Sequence, residues 1–212
     1  ISTDKACKPV NVMGMTKAIQ ERIFIQANMD TPNCRFFCVR YGNVLSSRGS
    51  VIPLFHEQIR NGGPVTVTTA EMTRFLLNLD KAVDTIFAGL RQANRGETYI
   101  PHVPAARVIE IAEALIGKRP IKIAITGIRP GEKIHEILVS EEEAYRSVER
   151  GDYRVIMPIL PEIRSPGSTE QIVEGEYSSS NNVISKAELI KLLKNNRLLV
   201  EDKSGSEEEL VV

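Results

Sequence analysis

The chain has 212 residues, 27 Lys plus Arg against 27 Asp plus Glu, and 42% hydrophobic residues. This length and composition predict a globular protein with an ordinary core, and balanced charge without a basic run argues against a nucleic-acid partner. The sequence has neither an apolar run of about 18 residues nor a signal-peptide pattern, which predicts no membrane segment and a cytoplasmic location.

The first part of the chain alternates helix and strand signals. Residues 34–43 (CRFFCVRYGN) predict a buried strand that leaves into a loop, and residues 65–68 (VTVT) predict a short strand. A short helix is expected at 53–60, stopped by the Gly-Gly-Pro that follows. Residues 11–29 predict a longer helix, because apolar residues recur at helical spacing. Its expected buried stripe is Met15, Ala18, Ile19, Ile23 and Ala27.

The second part continues the alternation. Residues 97–101 and 120–126 predict strands, and 105–117 predicts a helix that ends at Gly117. Residues 79–93 predict a further helix, whose expected apolar face is Ala82, Val83, Ile86, Phe87 and Leu90.

Two later helices have N-terminal signals of their own. Ser140 and Ser185 are each followed three residues later by a Glu, the spacing of a capping box. Ile184 precedes the second and predicts a hydrophobic staple. Two helices are therefore expected to begin just after these serines.

Cysteines and histidines predict neither a disulfide nor a metal site. Cys34 and Cys38 lie on the predicted strand, where four residues span about 13 Å, too far for a disulfide. Cys7 is expected to be a free thiol as well. The chain has no CxxC or HExxH, so we expect no metal and no catalytic role for His56 or His135.

Helices alternating with apolar strands predict an α/β protein with a mainly parallel sheet. A nucleotide-binding sheet of this class begins with a strand, a Gly-rich turn and a helix that holds the pyrophosphate, and no GxGxxG occurs in this sequence. We therefore expect the chain to be the C-terminal part of a longer protein. Residues 201–212 (EDKSGSEEELVV) predict a disordered acidic tail.

Four segments carry a family resemblance in order and spacing. They read STDKA…P.N.MG.TKA..E (2–21), RYGNVL.SRGSVIPLF (40–55), MTRF (72–75) and RPGEK..E.L (129–138). Together they resemble the extended short-chain dehydrogenases/reductases of polysaccharide biosynthesis. Within these, the chain is similar to the capsule-type UDP-N-acetylglucosamine 4,6-dehydratases, some of which invert the 5-position.

The resemblance implies a fold and a set of partners. Residues 1–45 would be the second half of a Rossmann-like doubly wound parallel sheet, and residues 46–200 mainly a small α/β substrate-binding lobe with elements that return to the sheet. The cofactor implied is NADP or NAD, held mainly by residues upstream of this chain. The substrate implied is a UDP-N-acetylhexosamine, and the assembly implied is a homo-oligomer.

Met13 and Lys17 are one helical turn apart, where the wider superfamily has a Tyr and a Lys. The resemblance implies that Lys17 and Tyr41 contact the cofactor, with Lys17 on the nicotinamide ribose. A thioether cannot hand over a proton. The resemblance implies that Met13 marks a subgroup of the family, in which Asp4 and Lys5 take over the proton chemistry.

The resemblance implies one role for each residue of the triplet at positions 3–5. Thr3 would form a hydrogen bond near the sugar 4-position, Asp4 would be the acid, and Lys5 would be the base. Elimination across the 5- and 6-positions needs such a base and such an acid. Neighbouring strand side chains point to opposite faces, so Asp4 and Lys5 converge only if the strand has already bent, at the carboxyl edge of the sheet. Burial would shift both pKa values in the required directions, and an ion pair between the two would oppose this.

The remaining motifs imply substrate contacts. Arg74 and Arg129 resemble a diphosphate clamp, a task suited to the planar guanidinium. Asn43 would bind the diphosphate through its amide, and Glu132 the ribose hydroxyls. A further substrate contact is implied for Arg48. The backbone groups of Val51 and Ile52 would form hydrogen bonds with the edge of the uracil.

The sequence thus predicts NADP-dependent dehydration of UDP-N-acetylglucosamine to a 4-keto-6-deoxy sugar for capsule or O-antigen biosynthesis. A 4-epimerase on the same scaffold is the first alternative. The Asp4 and Lys5 pair favours dehydration, because epimerisation has no leaving group to protonate. The second alternative is a non-catalytic module that binds a nucleotide sugar or serves in assembly.

Overall fold

The computed structural model describes residues 1–47, 49–164 and 171–200. Arg48 and the predicted acidic tail, 201–212, lie outside the described residues. The helices are α1 (Val12–Asp30), α2 (Val51–Arg60), α3 (Leu79–Gln92), α4 (Val108–Ile116), α5 (Glu141–Ala144) and α6 (Lys186–Asn195), with 3-10 turns at Asp4–Ala6 and Pro161–Ile163. The strands are β1 (Ser2–Thr3), β2 (Cys38–Tyr41), β3 (Val65–Val67), β4 (Thr73–Phe75), β5 (Thr98–Pro101), β6 (Ala105–Arg107), β7 (Ile123–Ile125), β8 (Ile137–Val139), β9 (Ser147–Arg150), β10 (Tyr153–Ile156) and β11 (Tyr177–Ser178).

The main sheet has five strands in the order β1-β2-β5-β10-β9. The first three strands are parallel, and α1 makes the crossover from β1 to β2. β10 is antiparallel to both of its neighbours, so a hairpin closes the sheet. The carboxyl ends of β1 and β2 therefore lie side by side at one edge of the sheet.

Within the described residues, three two-stranded sheets accompany the main sheet: β3 with β7 in parallel, and β4 with β6 and β8 with β11 antiparallel. A core cluster lies among α2, α4, α6 and β3, centred on the fully buried Phe55, Ile111 and Leu189. A second cluster includes Phe75 and Leu138 from β4 and β8. These two clusters fix the elements that carry the predicted substrate motifs.

The two capping boxes are confirmed. The hydroxyl of Ser140 accepts a hydrogen bond from the Glu143 backbone and that of Ser185 from the Glu188 backbone, and each Glu side chain reaches back to its serine. Ile184 packs on the cluster that contains Leu189. A local signal was enough here because the capping partners are three residues apart.

Two predicted boundaries are wrong. Residues 105–107, expected in a helix, form β6 and pair with β4, so the helix begins only at Val108. The Val108 backbone amide donates to the Met72 carbonyl, which extends that pairing. Of the predicted strand 34–43, only Cys38–Tyr41 is a strand. Tertiary pairing overrode the local helix preference at 105–107.

The predicted buried stripe of α1 is also wrong. Met15, Ile19 and Ile23 are 49%, 58% and 61% exposed. The helix instead buries Gly14, Glu21, Ile25 and Asn28. A Cβ at Gly14 would lie 2.3 Å from the Lys5 carbonyl oxygen, so the missing side chain lets α1 approach the Asp4–Ala6 turn.

The face predicted for α3 is only partly right: Ala82 is buried and Ile86 packs against a core cluster, but the other three residues of that face are exposed. Val83, Phe87 and Leu90 are exposed, and the helix buries the small residues Ala82, Thr85, Ala88 and Gly89. A Cβ at Gly89 would lie 2.4 Å from the Phe37 ring. Small side chains let this helix lie close to β2 and β5, which larger apolar residues would prevent.

A buried ionic cluster joins α1, β2 and α5. The Arg40 guanidinium binds Glu21 through Nη2 at 2.5 Å and Glu143 through Nη1 at 2.7 Å, and it donates to the Leu138 carbonyl at 2.9 Å. All three ionic side chains are nearly or fully buried. The charge pairing explains how α1 can bury Glu21, which lies outside the predicted apolar stripe.

The cysteines are free thiols, as predicted. Burial raises the pKa of Cys7 to about 12 and that of Cys38 to about 11. His56 Nε2 lies 2.7 Å from the Leu198 carbonyl oxygen. Over the described ranges, no cluster of side chains suits a metal ion, and no helix is both long and apolar enough to cross a bilayer.

Candidate functional site

The Thr3–Lys5 turn places two ionisable groups together. β1 ends at Thr3 and the 3-10 turn begins at Asp4, so the strand alternation stops where the sequence required a bend. The Thr3 hydroxyl donates to Asp4 Oδ1 at 2.7 Å, and Lys5 Nζ donates to the same oxygen at 3.1 Å. Asp4 is 1% exposed. The structure therefore contains the ion pair that opposes the protonation states expected for an acid and a base.

Asn43 joins this group from the end of β2. Its side-chain oxygen accepts a hydrogen bond from Lys5 Nζ at 3.0 Å, which leaves the amide nitrogen for a ligand. Gly42 lets the two segments approach, since a Cβ there would lie 3.3 Å from Asp4 Oδ2 and 3.1 Å from Phe75 Cβ. The two neighbouring strand ends thus deliver Thr3, Asp4, Lys5 and Asn43 to one place.

A cleft of about 420 Å³ opens beside this group. Polar residues from five separate segments line it, which is the form expected of a small-molecule site. They include Lys5, Asn43, Ser50, Thr68, Arg74 and Arg129.

The N-terminus of α2 faces the cleft. Ser50 is the N-cap residue, but its side chain makes no capping bond, and its buried Oγ has no partner within the described part of the chain. Val51 and Ile52 occupy the first turn and line the cleft, where helix amides lack helical partners. The structure thus brings Val51 and Ile52, for which the resemblance implied substrate contacts, to the cleft; their binding role stays a prediction.

Arg74 lies at the cleft on β4, but its donors are already engaged. Nη1 donates to the Thr73 and Ile134 carbonyls at 2.7 and 3.1 Å, and Nη2 donates to the Lys133 carbonyl at 3.0 Å. The guanidinium therefore fastens the 129–136 loop in this structure. Its charge still reaches the cleft, and a diphosphate contact would compete with these carbonyls.

Arg129 and Glu132 lie on the loop that Arg74 fastens, and both line the cleft. The Arg129 side chain is exposed. Glu132 is 3.7 Å from Arg74 and accepts a hydrogen bond from Thr68 at 3.5 Å. The structure thus brings Arg129, Glu132 and Asn43 to the same cleft from distant parts of the sequence.

The residues predicted to act at the cofactor do not line this cleft. Met13 is 48% exposed on the first turn of α1, and Lys17 Nζ donates to Gln20 at 3.0 Å. Tyr41 ends β2 beside Thr3, and partial burial raises its pKa. Lys17 is half-buried, and its ammonium has three donors of which Gln20 takes one.

Glu136 is a cleft residue to which the sequence assigned no role. It stands in the RPGEK..E.L motif, is 5% exposed, and has a buried Oε2 without a partner among the described residues. Its other oxygen lies 3.6 Å from Arg74 Nε. Burial and the charge of Asp4 raise its pKa, although Arg74 and Lys5 oppose the shift. Position within the motif was the signal that could have found it.

Comparisons with known proteins identify the family of this chain. Residues 1–158 match the family model described as polysaccharide biosynthesis protein. The chain is 36% identical over 208 residues to a UDP-N-acetylglucosamine 4,6-dehydratase (inverting) of Campylobacter jejuni, covering 91% of this chain and 62% of that protein. It is 43% identical over 157 residues to a UDP-glucose 4-epimerase of Rickettsia canadensis, covering 72% of this chain and 46% of that protein.

A solved structure is also similar. The X-ray structure of Pen from Bacillus thuringiensis has a TM-score of 0.84 and 35% identity, covering 93% of this chain and 62% of that one. Solved structures of nucleotide-sugar dehydratases and of an epimerase, each less than 20% identical to this chain, show a similarity of fold alone. This similarity confirms the predicted α/β fold with Rossmann-like parallel strands. The chain spans 46% to 62% of the length of these relatives. It belongs to the polysaccharide biosynthesis protein family.

Proposed function

We propose that this chain carries the substrate side and the acid–base residues of a nicotinamide-dependent UDP-N-acetylglucosamine 4,6-dehydratase, with or without inversion at the 5-position. The product would be a 4-keto-6-deoxy sugar for capsule or O-antigen polysaccharide. One observation supports this best: Thr3, Asp4, Lys5 and Asn43 form one hydrogen-bonded group at a cleft that also holds Arg129 and Glu132.

The acid and base would come from the Asp4–Lys5 pair. Elimination needs Lys5 as a neutral amine to take the proton at the 5-position and a protonated Asp4 to give its proton to the departing 6-hydroxyl. A substrate that fills the cleft excludes water, which disfavours both charged forms. The Thr3 hydroxyl, bound to Asp4 Oδ1, connects that carboxyl with the 4-position and offers a proton path that Met13 lacks.

The residues present fit a nicotinamide ribose. The Lys17 ammonium has donors beyond the one that Gln20 takes, and Tyr41 lies beside the reacting triplet. When bound, NADP or NAD supplies the oxidant for the 4-position, and residues outside this chain would hold most of it. Lys17 would orient the ribose, and Met13 would contribute packing but no proton.

The nucleotide would lie along the cleft. The free amides at the start of α2, with the Ser50 hydroxyl, suit the edge of a uracil. The exposed Arg129 suits the diphosphate, Glu132 the ribose hydroxyls, and the Asn43 amide nitrogen a phosphate oxygen. Arg74 would act through the loop that it fastens and through its charge.

Calorimetry with UDP tests this placement on the chain itself. We expect heat on titration with UDP, and an affinity about tenfold lower in Arg129→Ala, because a charge-assisted hydrogen bond contributes about 1.5 kcal/mol or more. Arg60→Ala, an exposed Arg at the end of α2, is the matched control and should bind UDP as the parent does. No heat with UDP would overturn the proposed site.

A 4-epimerase is the second candidate, supported by the similarity to the Rickettsia protein. Epimerisation returns hydride to the opposite face of the sugar without elimination. Proton NMR of the complete gene product with NADP and UDP-N-acetylglucosamine separates the candidates. A new 4-keto-6-deoxy signal supports dehydration, inversion at the 4-position alone supports epimerisation, and UDP binding without either reaction supports a non-catalytic module.

The homo-oligomer, the division at residue 45 and the cytoplasmic location also stay predictions. Exposed apolar side chains on α1, including Met15, Ile19 and Ile23, would give an assembly an apolar surface. Light scattering on the complete gene product tests this, and a monomer mass at micromolar concentration would contradict it.

A further inference from the structure

We propose that Lys133 is a positioning residue, which links the 129–136 loop to the Asp4–Ala6 turn and so sets the acid and the base against the bound nucleotide. Lys133 stands in the RPGEK..E.L motif, and the sequence assigned it no role. The catalytic consequence of the link rests on the proposed function, whereas the link itself rests on contacts of the described residues.

The Lys133 ammonium contacts the end of the turn directly. Its Nζ donates to the Cys7 carbonyl oxygen at 2.5 Å. Cys7 follows the turn and is 3% exposed, and its own amide donates to the Asp4 carbonyl at 3.2 Å, which closes the turn. A hydrogen bond from a charged donor is about twice as strong as a neutral one. Lys133 therefore holds the residue whose backbone fixes Asp4.

Asn11 makes a second contact between the loop and the segment that follows the turn. Its Oδ1 accepts from the Gly14 amide at 2.9 Å and caps α1, and its Nδ2 donates to the Gly131 carbonyl at 3.0 Å. Gly131 has a φ of +77°, and a Cβ there would lie 3.4 Å from Asn11 Cβ. The missing side chain lets the loop lie against the start of α1. The loop is thus held to this segment at two points.

The Lys133 backbone is held from the other side by Arg74. Nη2 of Arg74 donates to the Lys133 carbonyl at 3.0 Å, and Nη1 donates to the Ile134 carbonyl at 3.1 Å. The Thr73 amide on β4 donates to the Ile134 carbonyl as well, at 3.0 Å. Because its backbone is fixed on β4, the Lys133 side chain holds the turn in one place rather than following its motion.

The link joins the two halves of the cleft over a short stretch of backbone. Arg129 and Glu132 line the cleft from the loop, and Lys5 lines it from the turn. Lys133 directly follows Glu132, and Cys7 lies two residues beyond Lys5. A displacement of about 1 Å at a distance from the chemistry can cost about 100-fold in rate. Lys133 thus acts on the reaction through the position of the turn, without contacting the sugar.

Hydrogen exchange measured by NMR on the 212-residue chain tests the link without the reaction. Lys133→Met removes the ammonium and should speed the exchange of the Cys7 amide about fivefold. Exchange at the fully buried Leu193 on α6 should not change, because the link is local. Lys118→Met, at an exposed Lys just after α4, is the matched control and should exchange as the parent does.

UDP binding tests whether the loop and the turn are coupled. In the parent chain and in Lys118→Met, UDP should slow exchange of the Cys7 amide about fivefold. In Lys133→Met it should slow this exchange less than about twofold, although calorimetry should give a UDP affinity within about twofold of the parent. In the complete gene product, Lys133→Met should lower kcat about tenfold or more and leave KM within about twofold.

Three results would overturn the link. The first is a Cys7 exchange rate that Lys133→Met leaves unchanged, and the second is an equal acceleration at Leu193, which would mean global destabilisation. The third is a UDP affinity about tenfold lower with unaltered Cys7 exchange, which would make Lys133 a phosphate ligand. If Lys133→Met fails to fold, the parent chain should show an NMR scalar coupling between Lys133 Nζ and the Cys7 carbonyl carbon, and its absence overturns the link.

UDP calorimetry on the same samples separates this proposal from the proposed function. UDP binding to the parent chain, together with Cys7 exchange that is equal in the parent and in Lys133→Met, overturns only the link. Faster Cys7 exchange in Lys133→Met, with no UDP binding to the parent chain, overturns only the proposed function.

Discussion

Glu143→Gln removes one charge from the buried Arg40 cluster and keeps nearly the same shape. Glu143 accepts from Arg40 at 2.7 and 2.9 Å, and its Oε2 accepts from the Ser140 backbone amide at 3.2 Å. Burial by itself would raise the pKa of Glu143, but the hydrogen bonds and charge of Arg40 outweigh burial and lower the pKa to about 2. The substitution leaves Arg40 with Glu21 as its remaining carboxylate partner.

The size of the effect follows from that pKa. A fall from 4.5 to about 2 corresponds to about 3 kcal/mol of unfolding free energy. A carboxyl whose pKa is lowered by folding contributes fully above its unfolded pKa and loses the contribution as the pH falls through its folded pKa. We therefore expect Glu143→Gln to cost about 3 kcal/mol at pH 7 and the difference to vanish between about pH 4.5 and 2.

Urea denaturation followed by circular dichroism at a series of pH values measures this difference. Glu141→Gln is the control, because it removes a charge from an exposed residue of the same helix, 3.9 Å from Lys8. Its change should stay within about 0.5 kcal/mol. A Glu143→Gln difference that is the same at pH 7 and pH 2.5 would refute the electrostatic argument and leave only packing.

Three further predictions use the same structure. Ser50→Ala should leave the unfolding free energy unchanged, because the buried Oγ has no partner within the described residues. The same variant should bind UDP about fivefold more weakly by calorimetry, and unaltered binding would remove Ser50 from the site. Gly42→Ala should lower the unfolding free energy by about 1 kcal/mol in urea, since the new methyl would lie 3.1 Å from Phe75 Cβ; a stability equal to that of the parent would show that Phe75 yields freely. Ellman's reagent at pH 8 should modify exposed Cys34 quickly, whereas buried Cys7 and Cys38, with pKa values raised to about 12 and 11 by burial, should react only in urea; three fast thiols in the native chain would contradict this.

The sequence by itself determined the features that depend on residues close together in the chain. Ser140 and Ser185 begin helices because their capping partners lie three residues on, and Asn11 accepts from the Gly14 amide at the start of α1. The motif order identified the family. It also selected Asn43, Arg129 and Glu132, which the fold brings to one cleft.

Only the tertiary structure decided which face each helix buries. Helical spacing predicted Ile19 and Phe87 as core residues, but α1 buries Glu21 against Arg40, and α3 buries Gly89 against Phe37. The spacing of apolar residues shows that a helix has an apolar stripe. Whether that stripe is buried depends on segments that are distant in the chain and pack against it. The strand at 105–107 likewise formed because β4 pairs with it.

The same limit applies to the site. Sequence spacing placed Asp4 beside Lys5 but could not show that Lys5 Nζ would bind Asp4 Oδ1, that Arg74 would fasten the 129–136 loop, or that Glu136 would be buried with a bare oxygen. Each of these depends on groups that are distant in the chain, apart from the first. Burial and partner geometry set the charge state of a carboxyl or an amine, and both are properties of the folded chain.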